Sequence, residues 1–339
     1  MRFYIERTLR AIFTIWMAMT ITFGLIRLIP SGPIEQMRVQ IVRTNPQLTP
    51  AQVQSRLQDR ADRLGLNLDA PVHEQYIDYM LGLVQGDLGM SFQESEPVAR
   101  VLGEAMPWTL FYVTTATVLV FAVAVIWGAV LAYKEGSFFD SASSSLSILA
   151  STIPSYVLAF VLLLVFSYRL GWLPARGKTS PLMQADLASL TFLVDAFTHA
   201  LLLIASVFLT QVGLQVLAMR GNSIQILGED YVRVARLRGL ADRRIATRYV
   251  ARNAILPLYT GFLTLIGFNL GASIVLEQVF RYQGLGWYMF LGLENRDYPL
   301  VMGTFLVYTL ALVIAVFIAD LTYSRIDPRV KQGDSSEAY

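Results

Sequence analysis

The amino-acid sequence predicts an all-α membrane protein with about six transmembrane helices and a long extracytoplasmic segment after the first of them. Of its 339 residues, 55% are hydrophobic and only 15% are charged, whereas soluble domains carry about 25% charged residues. The apolar residues form six blocks of the length, about 20 residues, that a helix needs to cross a hydrocarbon core. The long stretch after the first block is too polar to cross.

The six blocks set the boundaries of the predicted segments. The first block is too long for the apolar part of a secretory signal and ends at Pro30 without a small-residue cleavage site, so we predict a retained anchor. The spans are placed at residues 9–29, 108–133, 145–168, 196–219, 255–279 and 299–322. They divide the chain into a tail with the first span at 1–29, an extracytoplasmic segment at 30–106, a five-helix core at 107–322 and a tail at 323–339.

The basic residues favour a cytoplasmic N-terminus and a cytoplasmic C-terminus. In that orientation the inside segments hold 15 of the 27 lysines and arginines, in roughly half the length of the outside segments. Eight of these are arginines between Arg220 and Arg252, in the only substantial inside loop, residues 220–254. On the outside, a polar run at 48–63 predicts a surface helix with Thr49 as its N-cap.

The sequence offers no catalytic or metal-binding constellation. Cysteine is absent, and only His73 and His199 are histidines, so disulfides are excluded and a histidine-rich metal centre is not expected. The run from Gly171 to Thr179 resembles a phosphate-binding loop, but five residues separate its glycines where a Walker loop needs four. We therefore expect no cofactor in this chain, and nothing indicates a nucleic-acid partner.

Polar side chains at membrane depth are candidates for a solute path because they are costly to bury in lipid. Two interpretations stay open: hydrogen bonding between helices, which is common between spans, and lining of a path. Pro154 interrupts the third span, so it predicts a bend that serves either a path or packing. The path candidates are Ser151, Pro154, Ser155, Gln211, Gln215 and Asn269. Glu277 and Asp320 are placed near span ends, where we expect water or a partner to solvate them.

The inside loop contains a short amphipathic helix. Asp230 is predicted to cap it, and Gly239 to end it through a left-handed turn. Tyr231, Val234 and Arg238 share one side of this helix, and Arg233 and Arg236 another. A second helix is predicted to start at Asp242, and Pro257 to mark the start of the fifth span. Charge and periodicity alone leave open whether the basic helix lies on anionic lipid or contacts a protein.

The loop resembles the EAA-type cytoplasmic loop of ABC importer permeases, in the variant of the dipeptide and oligopeptide permeases. The matching residues are Asp230, Tyr231, Val232, Arg233, Ala235, Arg236, Gly239, Leu240, Arg252, Asn253, Ala254 and Pro257. Arg236 and Arg238 stand where the broader ABC pattern has less basic residues. In that family the loop forms a coupling helix that docks on the ATPase subunit, with Arg252, Asn253 and Pro257 joining it to the next span.

The resemblance to the B-type subunit of this family continues over nearly the whole chain. It includes Gly86-Asp87-Leu88-Gly89, Glu277-Gln278-Val279-Phe280, Arg296-Asp297-Tyr298-Pro299 and Asp327-Pro328-Arg329-Val330. Two features depart from the family pattern: Pro30-Ser31-Gly32-Pro33 replaces the usual P-G-D-P, and the polar helix at 48–63 is longer than the common form.

The resemblance implies a type I ABC importer permease in the prokaryotic plasma membrane. Its expected partners, besides membrane lipid, are a second homologous permease subunit, two ATPase subunits that hold ATP and magnesium, and an extracytoplasmic solute-binding protein. Peptides are the expected solutes, with oligosaccharides or metal chelates as alternatives. An ion-coupled carrier acting alone and an intramembrane enzyme are the rivals from other classes, but the paired acids or histidine site of such an enzyme are missing.

Overall fold

A computed structural model describes residues 2–28, 33–63, 70–181, 183, 186 and 189–326. Three features singled out in the sequence lie partly or wholly outside these residues: the departure at 30–33 apart from Pro33, the C-terminal motif at 327–330, and the side chain of Asp320. In the described part the secondary structure is helical, apart from one isolated antiparallel bridge between Met90 and Pro97.

Thirteen α-helices and two π-helical segments form the described chain. Before the core lie α1 (Arg2–Leu28), α2 (Pro33–Thr44), α3 (Pro50–Arg63) and α4 (Val72–Gln85). Next come α5 (Val98–Tyr133), α6 (Phe138–Thr152), α7 (Ser155–Leu162) with a π-helical continuation (Leu163–Arg169), α8 (Leu190–Leu227) and α9 (Asp230–Leu237). The rest are α10 (Asp242–Ile245), a π-helical segment (Ala246–Ala251), α11 (Arg252–Val279), α12 (Leu285–Asn295) and α13 (Tyr298–Ile326).

The chain divides into two compact units. One unit comprises the residues up to Thr109 together with Gln283–Val313, and the other comprises Leu110–Tyr282 with the residues from Ile314 onward. The first unit thus contains α1 to α4 and α12, and the second contains α6 to α11.

The predicted spans correspond to long apolar helices. Among the described residues, five helices are long and apolar enough to cross a membrane, and a sixth crossing results if α6 and α7 form one broken span. Helix α5 has 36 residues and α8 has 38, so each exceeds the length of about 20 residues that a crossing needs. The prediction of about six spans is confirmed with this bent pair, while most helices extend beyond the predicted limits.

The third predicted span is broken more sharply than a kink. Helices α6 and α7 meet at 92° across Ile153 and Pro154, and α6 begins at Phe138 rather than at residue 145. Ile153 has an extended backbone (φ −84°, ψ 122°) because the proline ring disfavours helical geometry in the preceding residue. Pro154 itself has no N–H to continue the helix.

The predicted surface helix at 48–63 is confirmed as α3, with Thr49 as its cap. The backbone N–H of Gln52 donates to Thr49 Oγ1 at 3.4 Å, and the N–H of Thr49 donates to Gln52 Oε1 at 2.9 Å. These reciprocal bonds form a capping box, which satisfies two backbone donors at the helix start.

In the first unit, Asp297 fastens the loop before α5 to the start of α13. The carboxylate is fully buried and accepts hydrogen bonds from Ser91 Oγ at 2.6 Å and from the N–H of Gln93 at 2.9 Å. Its other oxygen accepts the N–H of Leu300 at 3.2 Å, which caps α13. One side chain thereby joins segments about 200 residues apart in sequence.

In the second unit, glycines allow α8 to approach its neighbours closely. A Cβ atom added to Gly213 would collide with the carbonyl oxygen of Ser147 and lie 2.6 Å from Ser151 Oγ on α6. At Gly128 on α5, an added Cβ would lie 2.6 Å from the Met219 side chain. Helix α8 is therefore packed against both α5 and α6 at distances that only glycine permits.

Candidate functional site

The loop between α8 and α11 folds into a helix, a turn and a second helix, as the sequence predicts. Helix α9 starts at Asp230, but Glu229 occupies the N-cap position and its side chain makes no capping hydrogen bond. The prediction that Asp230 caps the helix is therefore wrong. Asp230 lies one residue later, in the first turn, where its charge still interacts favourably with the helix dipole.

Gly239 ends α9 in a left-handed turn. Its φ is +72°, its N–H donates to the carbonyl of Arg236 at 2.9 Å, and the next N–H, of Leu240, donates to the carbonyl of Ala235 at 3.3 Å. This pair of bonds is a Schellman motif, which glycine favours because it has no Cβ. The predicted stop at Gly239 is confirmed.

One face of α9 is buried within its own chain. Val232 and Ala235 are almost completely buried and pack with Ile245 and Val250 from the segment that follows the turn. Leu240 and Tyr249 cover the edge of this small core. Because the core contains residues from both sides of Gly239, it fixes the orientation of α9 relative to the start of α11.

Two asparagines tie the loop to the neighbouring spans. Asn253 Nδ2 donates to the Tyr231 hydroxyl at 3.0 Å and to the carbonyl of Tyr249 at 2.9 Å. Asn222, near the end of α8, donates to the carbonyl of Ala254 at 3.3 Å. Asn253 thus joins the loop to the helix that follows, and Asn222 joins the two flanking helices, α8 and α11, directly to each other.

Pro257 lies inside α11, which begins at Arg252, so it does not mark the start of this helix. The helical backbone continues from the π-helical segment into α11 without a break, and at Pro257 it lacks one hydrogen bond, the one that the carbonyl of Asn253 would accept. Arg252 is exposed at the beginning of the same helix.

The other face of α9 is exposed and combines apolar and basic groups. Tyr231, Val234 and Leu237 are 40%, 51% and 81% exposed. They form a row at three-residue spacing along one side of the helix. The exposed arginines on α9 and at its C-cap are Arg233, Arg236 and Arg238. We call the three apolar side chains and these arginines the α9 surface.

An ion pair that the sequence did not indicate lies near the base of this loop. Arg220 on α8 donates from Nε and Nη2 to the two carboxylate oxygens of Asp140 on α6, at 2.6 and 2.7 Å. Asp140 is almost completely buried and also lies at the start of α6, where its N–H donates to Ser137 Oγ at 3.2 Å. The spacing of Ser137 and Asp140 is a helix-start signal that could have placed α6 correctly.

The six path candidates lie in different surroundings. Gln211 and Asn269 exchange hydrogen bonds of 2.6 and 3.1 Å, and Asn269 also donates to Thr117 Oγ1 at 3.2 Å, which links α8, α11 and α5. Gln215, one turn further along α8, lies outside this network among the described residues. Ser151 packs against Gly213 of α8 and donates to the carbonyl of Ser147 at 2.8 Å.

Pro154 and Ser155 lie at the break between α6 and α7. The break therefore positions two of the path candidates at the only bent pair of apolar helices in the described chain.

Two other expectations concern Glu277, near the end of a predicted span, and the run from Gly171 to Thr179. Glu277 is fully buried and accepts a hydrogen bond from the Tyr112 hydroxyl at 3.3 Å, so of the two expected alternatives, water or a partner, a partner side chain solvates it. The phosphate-loop look-alike has irregular structure, and its Gly177 N–H donates to the carbonyl of Phe280 at 3.1 Å. No helix follows Lys178 directly, which a phosphate-binding loop requires.

A family profile matches the part of the chain that contains these features. The profile of the family described as "Binding-protein-dependent transport system inner membrane component" matches residues 124–332, which include every candidate site residue. A di/tripeptide transport system permease protein, DppB, of Pseudomonas aeruginosa (strain UCBPP-PA14) is 30% identical, covering 97% of this chain and 98% of its own. A dipeptide transport system permease protein DppB of Bacillus subtilis (strain 168) is also 30% identical, with the same coverage of both chains.

A solved structure has the same fold. It is an inward-facing conformation of the MetNI methionine ABC transporter, with a TM-score of 0.50 at 14% sequence identity. The match covers 67% of this chain and 96% of that chain. At this level of identity the likeness concerns the fold alone.

Proposed function

The chain belongs to the family of inner membrane components of binding-protein-dependent transport systems, and on this premise we propose that it is the permease subunit of a peptide importer driven by ATP-binding-cassette ATPases. It is a multi-pass transport subunit with a type I permease fold. The observation that carries the proposal is the α9 surface: an apolar row bordered by arginines, on a short helix fixed to two spans. Such a helix suits mechanical coupling to a partner because it cannot move without moving α8 and α11.

The energy source belongs to other subunits in this proposal. Two ATPase subunits would bind ATP and magnesium, and one of them would dock on the α9 surface. Closure of the ATPase pair would then favour one of two arrangements of the spans. In this scheme the loop transmits a displacement and needs no chemistry of its own. A second permease subunit and an extracytoplasmic solute-binding protein complete the assembly, and lipid surrounds the spans.

The proposed orientation places both termini and α9 in the cytoplasm. It is supported by the arginines concentrated between Arg220 and Arg252, since basic residues accumulate in cytoplasmic loops. The same orientation places α2, α3 and α4 on the outer side, where a solute-binding protein acts. Lipid contact of the basic face of α9 remains the competing interpretation for this loop.

Peptides are the proposed solutes because similar proteins covering nearly the whole chain are named as dipeptide or di/tripeptide permeases. These names favour peptides over the oligosaccharides and metal chelates that the sequence left open.

An importer subunit also differs from an ion-coupled carrier in what it can do alone. The isolated chain in vesicles should not accumulate dipeptides, whereas the reconstituted assembly with ATP should.

Co-purification of the ATPase with the chain tests the coupling role. Val234→Glu changes an exposed side chain of the α9 surface, and Val42→Glu, on α2, is a matched control at a similarly exposed valine (45% and 51% exposed). We expect both variants to insert and fold, because neither valine is part of a buried core. We expect the ATPase to be lost from Val234→Glu and retained by Val42→Glu.

Retention of the ATPase, with normal solute-stimulated ATP hydrolysis, in Val234→Glu would overturn the docking assignment. A variant that binds the ATPase but no longer couples hydrolysis to uptake would instead support it. If α9 lies on lipid, Val234→Glu should weaken binding of the loop to anionic vesicles and leave co-purification unchanged.

A further inference from the structure

Helix α4 carries an apolar row that the proposed transport function does not use. Ile77, Leu81 and Val84 are 52%, 54% and 85% exposed and recur at spacings of four and three residues, which places them on one side of the helix. Glu74, Asp78 and Gln85 are exposed along one edge of this row. Helix α4 is therefore amphipathic, and its apolar row lies on a side that the rest of the chain leaves exposed.

The opposite face of α4 is fastened to the first span by aromatic residues. The Tyr76 hydroxyl and Thr20 Oγ1 of α1 are 2.7 Å apart and hydrogen bonded. The Phe23 ring contacts the rings of Tyr76 and Tyr79, with centroids 5.4 and 5.6 Å apart. The Tyr79 hydroxyl donates to Met19 Sδ at 3.5 Å. Burial, with a smaller effect of Tyr76, raises the pKa of Tyr79 well above its usual range.

These contacts fix the depth of α4 relative to the span. The apolar part of α1 runs from Ile5 to Ile26, and α4 contacts it at Met19, Thr20 and Phe23. At about 1.5 Å per residue, Met19 lies roughly 10 Å inside the end of the span. With 22 residues, the span has little length to spare beyond a hydrocarbon core of about 30 Å. Helix α4 therefore lies at the level of the outer membrane boundary and not in bulk water.

The connection between α1 and α4 indicates on which side of the membrane α4 lies. Between Ile26 and α4 the described chain contains α2 and α3, of 12 and 14 residues, which are too short and too polar to cross. Helix α4 thus lies on the side where the first span ends. Its apolar row is at the same depth as Met17, Ile21 and Leu25, which are exposed on α1 and face lipid in a spanning helix.

We propose that α4 is an interfacial helix that lies in the membrane surface at the outer end of the first span, with Ile77, Leu81 and Val84 inserted among the lipid acyl chains. Interfacial helices bury their apolar face about 5–10 Å into the boundary between headgroups and acyl chains, which agrees with the depth at which α4 meets α1. The acidic edge with Glu74 and Asp78 then lies among the headgroups and water. Lipid is the occupant because the depth of this row, set by the contacts to α1, matches that of the lipid-facing side chains of the span.

Single-cysteine labelling tests this proposal, because the absence of native cysteine makes each label unique within this chain, and the partner subunits are used in cysteine-free form. Leu81→Cys and the control Asp78→Cys would be labelled with an environment-sensitive fluorophore. The complete transporter is then reconstituted in vesicles of phosphatidylethanolamine and phosphatidylglycerol. Quenching by iodide in the water is compared with quenching by lipid that carries a nitroxide near the headgroup end of the acyl chain. We expect the ratio of lipid to iodide quenching to be roughly tenfold higher at position 81 than at position 78, the partition expected for a leucine-sized group.

Two results would overturn the assignment to lipid. Equal iodide quenching at both positions would place the row in water. Shielding of position 81 that occurs in the complete transporter but not in the isolated full-length chain, or that requires added solute-binding protein, would make the occupant a protein. Val84→Cys with Gln85→Cys provides a second pair if the first disturbs the helix.

Discussion

Arg220 and Asp140 form a two-point hydrogen-bonded ion pair between α8, which leads into the α9 loop, and the first turn of α6. The pair adjoins the base of the loop, so the position of α8 there is fixed relative to the helix that contains Ser151 and leads to the Pro154 break. Any displacement of α9 that moves α8 must carry α6 with it or break this pair. It is therefore the structural link between the proposed docking surface and the bent pair of helices.

Removing one partner of this pair should destabilise the protein. Arg220→Met leaves the buried Asp140 carboxylate without its cation, and breaking such pairs costs about 3 kcal/mol or more. We expect thermal denaturation of the purified transporter to shift to lower temperature. Arg100→Met, at an exposed arginine of α5, serves as the control and should not shift it. An unchanged melting temperature in Arg220→Met would contradict the structural role, and adding Asp140→Asn should recover part of the loss.

Gly239→Ala should loosen the turn after α9. A Cβ at φ +72° costs about 1–2 kcal/mol, and the turn positions Leu240 over the core of the loop. We expect faster hydrogen exchange in residues 230–245 and reduced solute-stimulated ATP hydrolysis. Gly221→Ala, on α8, has open space around the added Cβ and should leave both unchanged. Equal exchange in the two variants would show that the turn does not limit the order of α9.

The sequence predicted which segments are helical better than it predicted where each helix begins and ends. Hydrophobic blocks locate the spans, but the helices continue beyond these blocks, as α5 with 36 residues and α8 with 38 residues do. Short sequence motifs predicted helix ends correctly where the contacts are between residues close in sequence: Thr49 caps α3 and Gly239 ends α9. Asp230 was misplaced by one residue because the N-cap preference favours Asp, whereas α9 starts after Glu229 without a side-chain cap.

The contacts within the candidate site could not be predicted from the sequence. Arg220 and Asp140 are 80 residues apart, and a single sequence contains no signal that pairs them. The buried state of Glu277 was missed for the same reason, since its shielding by Tyr112 comes from another helix. The break at Pro154 was foreseen as a bend, and the extended backbone of Ile153 agrees with the bias that a following proline imposes, but the angle of 92° was not foreseen.

The Gln211 and Asn269 pair should act as a connection between helices. Each amide donates to and accepts from the other, and hydrogen bonds between spans contribute about 0.6 kcal/mol on average and up to about 1.7 kcal/mol. We expect a double-mutant cycle with Gln211→Leu and Asn269→Leu to give a coupling energy in this range. The double variant should still transport peptide. Loss of uptake by a stable double variant would favour the path role instead.

Close packing of α6 on α8 should not tolerate a side chain at Gly213. An added methyl group collides with the Ser147 carbonyl, so the helices must separate, at a cost of about 1–3 kcal/mol. We expect Gly213→Ala to lower the melting temperature of the transporter. Gly271→Ala, where the added Cβ meets open space, should have little effect. If both variants melt at the same temperature, the close approach is not present in the protein.

Asp297→Ala should release the loop that Asp297 holds against the start of α13. The substitution removes the acceptor for the Ser91 hydroxyl and for two backbone N–H groups, and each buried donor left unsatisfied costs about 1–3 kcal/mol. We expect a glutamate-specific protease added to the outer side to cleave faster after Glu94 and Glu96, which are exposed in this loop. Asp87→Ala is the control, because Asp87 accepts from the nearby Gly89 N–H and lies in the preceding turn. Cleavage at the same rate in Asp297→Ala and the unmodified protein would show that the loop is held by other contacts.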